Sequence, residues 1–303
     1  MSRNLVYTCC FYQESYVDVV KNLVDTILPH LDDNTDFLVY TTSQLKEKMG
    51  SLDSRIIFFE KNFYKTMNQA RISKMDIFDY PEIDKYGKII YLDADSYVIG
   101  PIAPIFDAIQ EDVVYTVGEG NILCEAEYWG RSLFLRENAD YADREGMGAY
   151  VLGFKNLQAI KKLFIKIKQA FYLDMYQNKL RFYDQPFINF YLIHNNMFNS
   201  ETFKKFVKSR PSAEDAVKLG ISVVHFSGCP GHANVKLDLF NDFKTQMASI
   251  KPAIASVPSS SSSASAIASS SVPSSVPSTL VKEDIRKTLD QIKALIAHVE
   301  SLL

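Results

Sequence analysis

The sequence predicts an α/β fold in which a mostly parallel sheet is flanked by helices. Short apolar runs typical of buried strands alternate with segments whose apolar side chains recur at helical spacing. Strands separated by helices in this way form parallel sheets that are covered on both faces. The chain has 303 residues and is 47% hydrophobic, which is enough for one large core or two modest ones.

The N-terminal part of the chain supplies the first strands and helices. Its apolar runs are rich in β-branched and aromatic residues, which favour strands. These predicted strands are residues 4–10, 36–42, 56–59 and 88–92. Residues 16–28 are predicted to be a helix because one helical face collects Val19, Val20, Leu23, Val24 and Ile27. Residues 69–78 form the next predicted helix.

The later part of the folded region continues the alternation of strands and helices. Residues 105–110 are predicted to be a helix or a turn, and residues 157–178 a helix. Predicted strands cover residues 113–117, 150–154 and 223–226. A further helix is expected to begin near residue 184. Asp184 is its candidate N-cap, and Pro186 stands in its first turn, where proline is tolerated.

The composition changes abruptly at about residue 250. Residues 251–278 are mostly Ser, Pro, Ala and Val and are predicted to be a flexible linker between a domain at 1–250 and an amphipathic helix at 279–303. A coiled-coil seam in that helix is predicted from the alternating four- and three-residue steps of Ile285, Leu289, Ile292, Ile296, Val299 and Leu303. We therefore expect homo-oligomerisation or a helical partner through residues 280–303. The alternative is a helix that packs back on its own domain.

The charge and hydropathy patterns argue against two classes of partner. A net charge of −3 and a pI near 6.0 provide no basic surface for nucleic acid. No apolar run approaches the length that spans a membrane, and the apolar segment that follows residues 1–4 is too short for a signal peptide. The expected location is the cytoplasm.

Asp93 and Asp95 directly follow the predicted strand at 88–92. Residues two apart on an extended segment point to the same side, so the two carboxylates can share one divalent cation. Oxygen ligands suit Mg²⁺ or Mn²⁺, and the phosphates of a nucleotide would complete the coordination. The alternative is an ordinary turn, since Asp and Ser are common after strands.

With these elements in place, the chain resembles family 8 of the retaining glycosyltransferases, a GT-A family that includes glycogenin and galactinol synthase. The resemblance covers residues 4–250, and its most specific parts are the segments 71–74 (Arg-Ile-Ser-Lys) and 91–98 (Tyr-Leu-Asp-Ala-Asp-Ser-Tyr-Val). It implies a GT-A fold, a Mn²⁺ or Mg²⁺ cofactor and a UDP-sugar donor. Its metal ligands would be Asp93, Asp95 and His225, which opens the segment His225-Phe226-Ser227-Gly228.

The resemblance also assigns residues to the donor. Residues that would contact the nucleotide, its diphosphate or the sugar are Thr8, Tyr16, Arg71, Lys74, Asp93, Ala94, Asp95, Gly228 and Lys236. Thr8 and Tyr16 would lie at the uridine. Asp184 and Gln185 would line the sugar pocket near the anomeric carbon, and Lys74 is expected to act with them in catalysis.

Several of these residues have simpler interpretations, and two segments depart from the family pattern. Arg71 and Lys74 are three residues apart and fit a solvated helical face, Asp184 fits a helix cap, and both Tyr16 and His225 fit packed side chains. The loop between His225 and Lys236 is longer than in the family, which makes His232 an alternative phosphate contact. Gly146-Met147-Gly148 replaces the family's Asn-Ser-Gly.

The resulting hypothesis is a Mn²⁺-dependent retaining hexosyltransferase that acts on a UDP-sugar and a hydroxyl acceptor. The acceptor would be a glycan or a protein, with the chain's own tyrosines included. Residues 118–146 are expected to shape the acceptor side, because aromatic rings stack on sugars. Two alternatives stay open. One is a catalytically weak scaffold that recruits a partner through the C-terminal helix, and the other is a sugar nucleotidyltransferase, whose Gly-rich basic loop is missing here.

Overall fold

The computed structural model describes residues 2–50, 52–135, 141, 144–177, 183–227 and 233–254. All of them belong to one structural unit, residues 1–256. The predicted linker and C-terminal helix therefore lie outside the described residues, except that the last described helix continues to Ile254, past the expected boundary at 250. No helix in the described part of the chain is long and apolar enough to cross a membrane.

The described residues form ten strands. In chain order they are β1 (Arg3–Cys10), β2 (Thr35–Thr41), β3 (Ile56–Glu60), β4 (Tyr86–Leu92), β5 (Ser96–Val98), β6 (Val114–Asn121), β7 (Glu145–Lys155), β8 (Phe198–Asn199), β9 (Val207–Ser209) and β10 (Val223–His225). Seven make one sheet in the order β3-β2-β1-β4-β7-β6-β8, and the other three make a small sheet in the order β5-β10-β9. In the large sheet only β7 runs antiparallel to its neighbours, which confirms the predicted mostly parallel sheet.

Nine α-helices are present in the described ranges. They are α1 (Tyr16–Ile27), α2 (Ser43–Met49), α3 (Met67–Ile72), α4 (Ala103–Ala108), α5 (Arg131–Phe134), α6 (Gln158–Gln177), α7 (Gln185–His194), α8 (Ala213–Lys218) and α9 (Ala233–Ile254). Short 3₁₀ segments cover Leu28–His30, Ser73–Asp79, Ile83–Lys85 and Thr202–Lys205.

The helices cover both faces of the large sheet. Val6 and Ile90 pack in one hydrophobic cluster with α1, whereas the adjacent Tyr7 and Tyr91 pack in a second cluster with α6. This division follows from the two-residue alternation of side chains along each strand. The two buried faces explain why β1 and β4 read as nearly continuous apolar runs.

Most predicted elements are found close to their expected positions, and the differences have local causes. The helix predicted at 69–78 is α-helical only to Ile72 and continues as a 3₁₀ segment, in which the Tyr7 hydroxyl donates to the Lys74 carbonyl (2.7 Å). The strand predicted at 150–154 begins at Glu145, because two glycines hide the strand signal in its first half. Helices α2, α5, α8 and α9 were not predicted. Of these, α2 and α8 are short, and each has a side-chain cap at its first turn.

Candidate active site

Asp93 and Asp95 lie at the carboxyl end of β4, in the turn that leads into β5. The Ser96 amide donates to the Asp93 carbonyl (3.0 Å), and the Asp93 amide donates to the Tyr150 carbonyl of β7 (2.8 Å). The turn and the carboxylate pair are therefore both present. They stand beyond the carboxyl ends of parallel strands, where α/β sheets bind ligands.

His225 reaches these carboxylates because β10 pairs with β5. His225 lies opposite Ser96 in this antiparallel pair, and the Phe226 amide donates to the Asp95 carbonyl (3.0 Å). The Nε2 atom of His225 is 3.1 Å from Asp95 Oδ1 and 3.9 Å from Asp93 Oδ2. One ligand atom from each of the three residues lies within 4.8 Å of the other two. The structure thus brings together the three predicted metal ligands.

Lys236 adds a cation to this group. Its buried ammonium donates to the Asp95 carboxylate and to the Phe226 carbonyl. Burial alone would raise the pKa of Asp95, but His225 and Lys236 outweigh it and hold that pKa well below its ordinary value. Asp95 therefore stays ionised at neutral pH. The family resemblance implies that Lys236 contacts the diphosphate, whereas its partner in this structure is the Asp95 carboxylate.

Lys74 joins Asp93 to Asp184. Its Nζ atom is 3.2 Å from Asp93 Oδ1 and 2.9 Å from Asp184 Oδ2, and it donates to the Ala149 carbonyl (3.0 Å). Burial lowers the pKa of Lys74, but Asp184 and Asp93 outweigh it and raise that pKa above its ordinary value. Because the side chain is only 5% exposed, the solvated-face interpretation is wrong for Lys74.

Asp184 occupies the N-cap position of α7 without capping it through its side chain. Its backbone is already helical (φ −80°, ψ −32°), and its carboxylate makes no cap hydrogen bond. The ion pair with Lys74 uses that carboxylate instead. Asp184 is therefore the N-cap residue of α7, as predicted, but its side chain does not cap the helix.

Both polar atoms of the Gln185 side-chain amide form hydrogen bonds. Its Oε1 accepts from the Ala149 amide (3.1 Å), and its Nε2 donates to the Tyr128 carbonyl (3.0 Å). One turn later, Asn189 bonds both backbone groups of Met147 (2.7 and 2.8 Å). These amides fasten α7 to β7 and hold the loop of Tyr128 beside the site.

Arg71 lies one helical turn before Lys74, against the ring of Tyr183. Its guanidinium carbon is 3.0 Å from the ring centroid. Burial lowers the pKa of Arg71, and the neighbouring Tyr183 and Asp184 offset part of that effect. One guanidinium nitrogen, Nη1, is buried with no hydrogen-bond partner in the described part of the chain. Arg71 thus has donor capacity left for a ligand.

The other predicted nucleotide contacts have different surroundings. Burial and then the charges of Asp95 and Asp93 raise the pKa of Tyr16 to about 12. Thr8 is 0% exposed and Ala94 is buried, which leaves their nucleotide contacts as predictions. Gly228 and His232 lie outside the described residues.

The chain was compared with family models, curated protein sequences and solved structures. Neither a family model nor a curated protein sequence matches the chain. Among solved structures it is similar to the galactosyltransferase LgtC, solved with donor and acceptor sugar analogues, at 13% identity over 79% of this chain and 96% of that one, with a TM-score of 0.52. The chain has the GT-A fold. The apo structure of the bifunctional glycosyltransferase WbbM is similar at 13% identity and a TM-score of 0.49, and the match spans 75% of this chain and 46% of that one.

Within this GT-A chain, the three ligand residues fit a divalent cation. Octahedral ligands bonded at about 2.1 Å stand about 3.0 Å apart when adjacent and about 4.2 Å apart when opposite. The distance from His225 Nε2 to Asp95 Oδ1, 3.1 Å, is that of adjacent ligands, and the distance to Asp93 Oδ2, 3.9 Å, lies between the adjacent and opposite values. The two carboxylates suit Mn²⁺ or Mg²⁺, and the imidazole nitrogen, a ligand typical of transition metals, favours Mn²⁺.

Three further residues at the site were not predicted from the sequence. Tyr91 donates its hydroxyl to the Asp93 carboxylate, Tyr150 stacks on His225, and Asn189 fastens α7 to β7. Of these three, only Asn189 could have been suspected from the sequence, because an amide buried within an apolar helix needs a hydrogen-bond partner. Tyrosines in an apolar strand are ordinary core residues.

Proposed function

We propose that this chain is a divalent-metal-dependent retaining glycosyltransferase that transfers a hexose from a UDP-sugar to a hydroxyl acceptor. The observation that carries the proposal is the group of Asp93, Asp95 and His225, whose ligand atoms lie within 4.8 Å at the carboxyl edge of a GT-A sheet. The likeness in fold to LgtC, named a galactosyltransferase, supports the reaction class.

The residues around the metal group suit a departing diphosphate. A divalent cation held by the three ligands would stabilise the negative charge that grows on the leaving phosphate. Lys236 donates to Asp95, and Arg71 keeps an unpaired donor, so each could supply positive charge to a phosphate. No glycine-rich phosphate loop is needed, because cations and not backbone amides would hold the diphosphate.

Asp184 is better suited to orient the sugar than to attack it. An ammonium at 2.9 Å draws charge from its carboxylate and makes it a poor nucleophile. In the proposed reaction the acceptor oxygen bonds to the anomeric carbon on the face from which the phosphate leaves. The bond from that carbon to the phosphate oxygen breaks, and the acceptor proton passes to the departing phosphate.

The direct test of this function is incubation of the full chain with Mn²⁺ and a panel of UDP-hexoses. Released UDP reports hydrolysis or transfer, and intact mass reports self-glycosylation. We expect UDP release that stops when the metal is chelated. Tight UDP binding without any release, with and without hydroxyl acceptors, would instead favour the scaffold hypothesis.

Lys236→Met is expected to change metal and nucleotide binding in opposite directions. Without Lys236, Asp95 loses a cation that already neutralises it, so Mn²⁺ alone should bind several-fold more tightly. UDP in saturating Mn²⁺ should bind about tenfold less tightly, because a charge-assisted contact is lost. Electron paramagnetic resonance of free Mn²⁺ and calorimetry with UDP measure the two effects.

Lys204→Met is the matched control for Lys236→Met, since Lys204 pairs with Glu145 (2.8 Å) instead of a metal-group carboxylate. It should leave both affinities unchanged. Unchanged UDP affinity in Lys236→Met would limit Lys236 to a structural partner of Asp95.

Gln185→Ala is expected to lower kcat by about ten- to a hundredfold with little change in UDP affinity. Its amide holds the Ala149 and Tyr128 backbone, so the loss misplaces the walls of the sugar pocket and leaves the metal group intact. Steady-state kinetics and calorimetry separate the two quantities, with exposed Gln158→Ala as the control. Lost UDP affinity at unchanged kcat would contradict this role.

A further inference from the structure

The imidazole of His225 lacks the usual second hydrogen bond. A histidine that binds a metal ordinarily donates its other ring nitrogen to a carboxylate or carbonyl, and that bond sets the plane of the ring. Here Nε2 faces the two carboxylates, while Nδ1 is buried with no hydrogen-bond partner among the residues that the structure describes. Another contact must therefore orient the ring.

Tyr150 provides that contact. Its ring lies face to face with the His225 imidazole, with the centroids 3.9 Å apart and the planes inclined by 8°. The Tyr150 carbonyl accepts from the Asp93 amide (2.8 Å), so one residue contacts two of the three ligands. Tyr150 is only 4% exposed, which limits the freedom of its own ring.

The backbone at Gly148 leaves the space that this stack requires. A Cβ atom at position 148 would lie 2.2 Å from Cε1 of the Tyr150 ring. No such approach occurs between real atoms, so any side chain there would push the ring away from its place. Gly148 thus permits the tyrosine to lie against His225.

The ring of Tyr150, and not its hydroxyl, is the part that acts on His225. The hydroxyl makes no hydrogen bond of ordinary geometry within the described residues. A tyrosine hydroxyl is ordinarily neutral near pH 7, so it does not compete with the carboxylates for a metal.

We propose that Tyr150 is a positioning residue that sets divalent-metal affinity by stacking on the His225 imidazole, in place of the missing hydrogen bond to Nδ1. This inference rests on the proposed metal-dependent function. It predicts that the aromatic ring is required at position 150 and that the hydroxyl is not.

The test is a titration of the full-length protein with Mn²⁺, followed by the electron paramagnetic resonance signal of free Mn²⁺. Tyr150→Leu should weaken Mn²⁺ binding by about tenfold or more, the loss expected when the orienting partner of a metal ligand is removed. Tyr150→Phe should stay within about twofold of wild type, because it keeps the ring. Gly148→Ala, which displaces the ring without removing it, should also weaken binding.

Phe190→Leu is the matched control, because Phe190 stacks on His194 (5.6 Å, 13°) away from the carboxylate group. It should not change Mn²⁺ affinity. Tyr150→Met replaces Tyr150→Leu if circular dichroism shows that the leucine variant does not fold.

The possible outcomes separate this inference from the proposed function. The role of the Tyr150 stack would be overturned by unchanged Mn²⁺ affinity in Tyr150→Leu or Tyr150→Met, or by equal losses in Tyr150→Phe and Tyr150→Leu. The proposed metal site would still stand after either result. A wild-type protein that binds no Mn²⁺ would overturn the metal site and this inference with it. A loss restricted to the variants that remove or displace the ring supports the proposal.

Discussion

Asp93→Asn is expected to reduce Mn²⁺-dependent release of UDP from a UDP-hexose by at least about a hundredfold, because the cation loses a charged ligand. The carboxylate is 31% exposed at the end of β4, so the fold should tolerate the amide. Lys74 keeps Asp184 as its partner. UDP release and Mn²⁺ affinity should therefore fall together, while the midpoint of urea unfolding changes little.

Asp112→Asn controls for the loss of a carboxylate, because Asp112 forms an exposed pair with Lys155 (2.7 Å). It should keep wild-type UDP release. If Asp93→Asn retained metal-dependent release, the carboxylate group would not be the catalytic metal site. Release that was equal with and without metal in the wild type would contradict the metal requirement itself.

Substitution of Asp93 tests the metal site more directly than substitution of Asp95. The sequence places both carboxylates at a strand end and outside the core, but Asp95 is nearly buried between His225 and Lys236. A neutral residue at 95 would leave the buried Lys236 ammonium with the Phe226 carbonyl as its one remaining hydrogen-bond partner among the described residues. An Asp95 variant would then lose both stability and metal binding, and the two effects could not be separated.

The parts of the site that are local in the chain could be predicted from the sequence. Apolar strand β4 ends at Leu92 and the two aspartates follow within one turn, so strand pattern and spacing alone placed them at the sheet edge. Asp184 and Pro186 likewise predicted the start of α7, whereas the place of Asp184 and Gln185 beside the sugar came from the family resemblance. In each case the residues that matter lie within a few positions of the signal.

Long-range contacts could not be predicted in this way. His225 is 130 residues from Asp95 and meets it only because β10 pairs with β5, a strand of three residues. The sequence suggested His225 through a resemblance and not through its surroundings. Tyr150 gave no signal, since its stack depends on the space at Gly148.

The surroundings predicted for Lys74 from its spacing were wrong, whereas its catalytic role stays a prediction. Its spacing from Arg71 suggests one exposed helical face, on which a lysine contributes little to stability. The chain changes to a 3₁₀ segment at Ser73, and the side chain is buried against two carboxylates. Lys74 is therefore expected to contribute to stability as well as to catalysis.

Lys74→Met is expected to lower the free energy of unfolding by about 3–5 kcal/mol, because it leaves the buried Asp184 carboxylate without its partner. That is a large share of the stability of an ordinary domain, about 5–15 kcal/mol. Lys74→Met/Asp184→Asn should recover most of the loss, since an amide carries no unpaired charge. Urea unfolding of wild type, both single variants and the double variant gives the coupling energy.

The pH dependence of unfolding provides an independent check on the same pair. The folded-state pKa of Lys74 is raised, so its stabilisation is complete below the unfolded value of about 10.4 and is lost as pH rises through the folded-state value. The stability gap between wild type and Lys74→Met should therefore stay constant near neutral pH and narrow in strong alkali. A gap that did not change in alkali, or a double variant no more stable than Lys74→Met, would show that Lys74 acts through packing and not through its charge. UDP release should stay low in both variants, because restoring stability does not restore the ammonium.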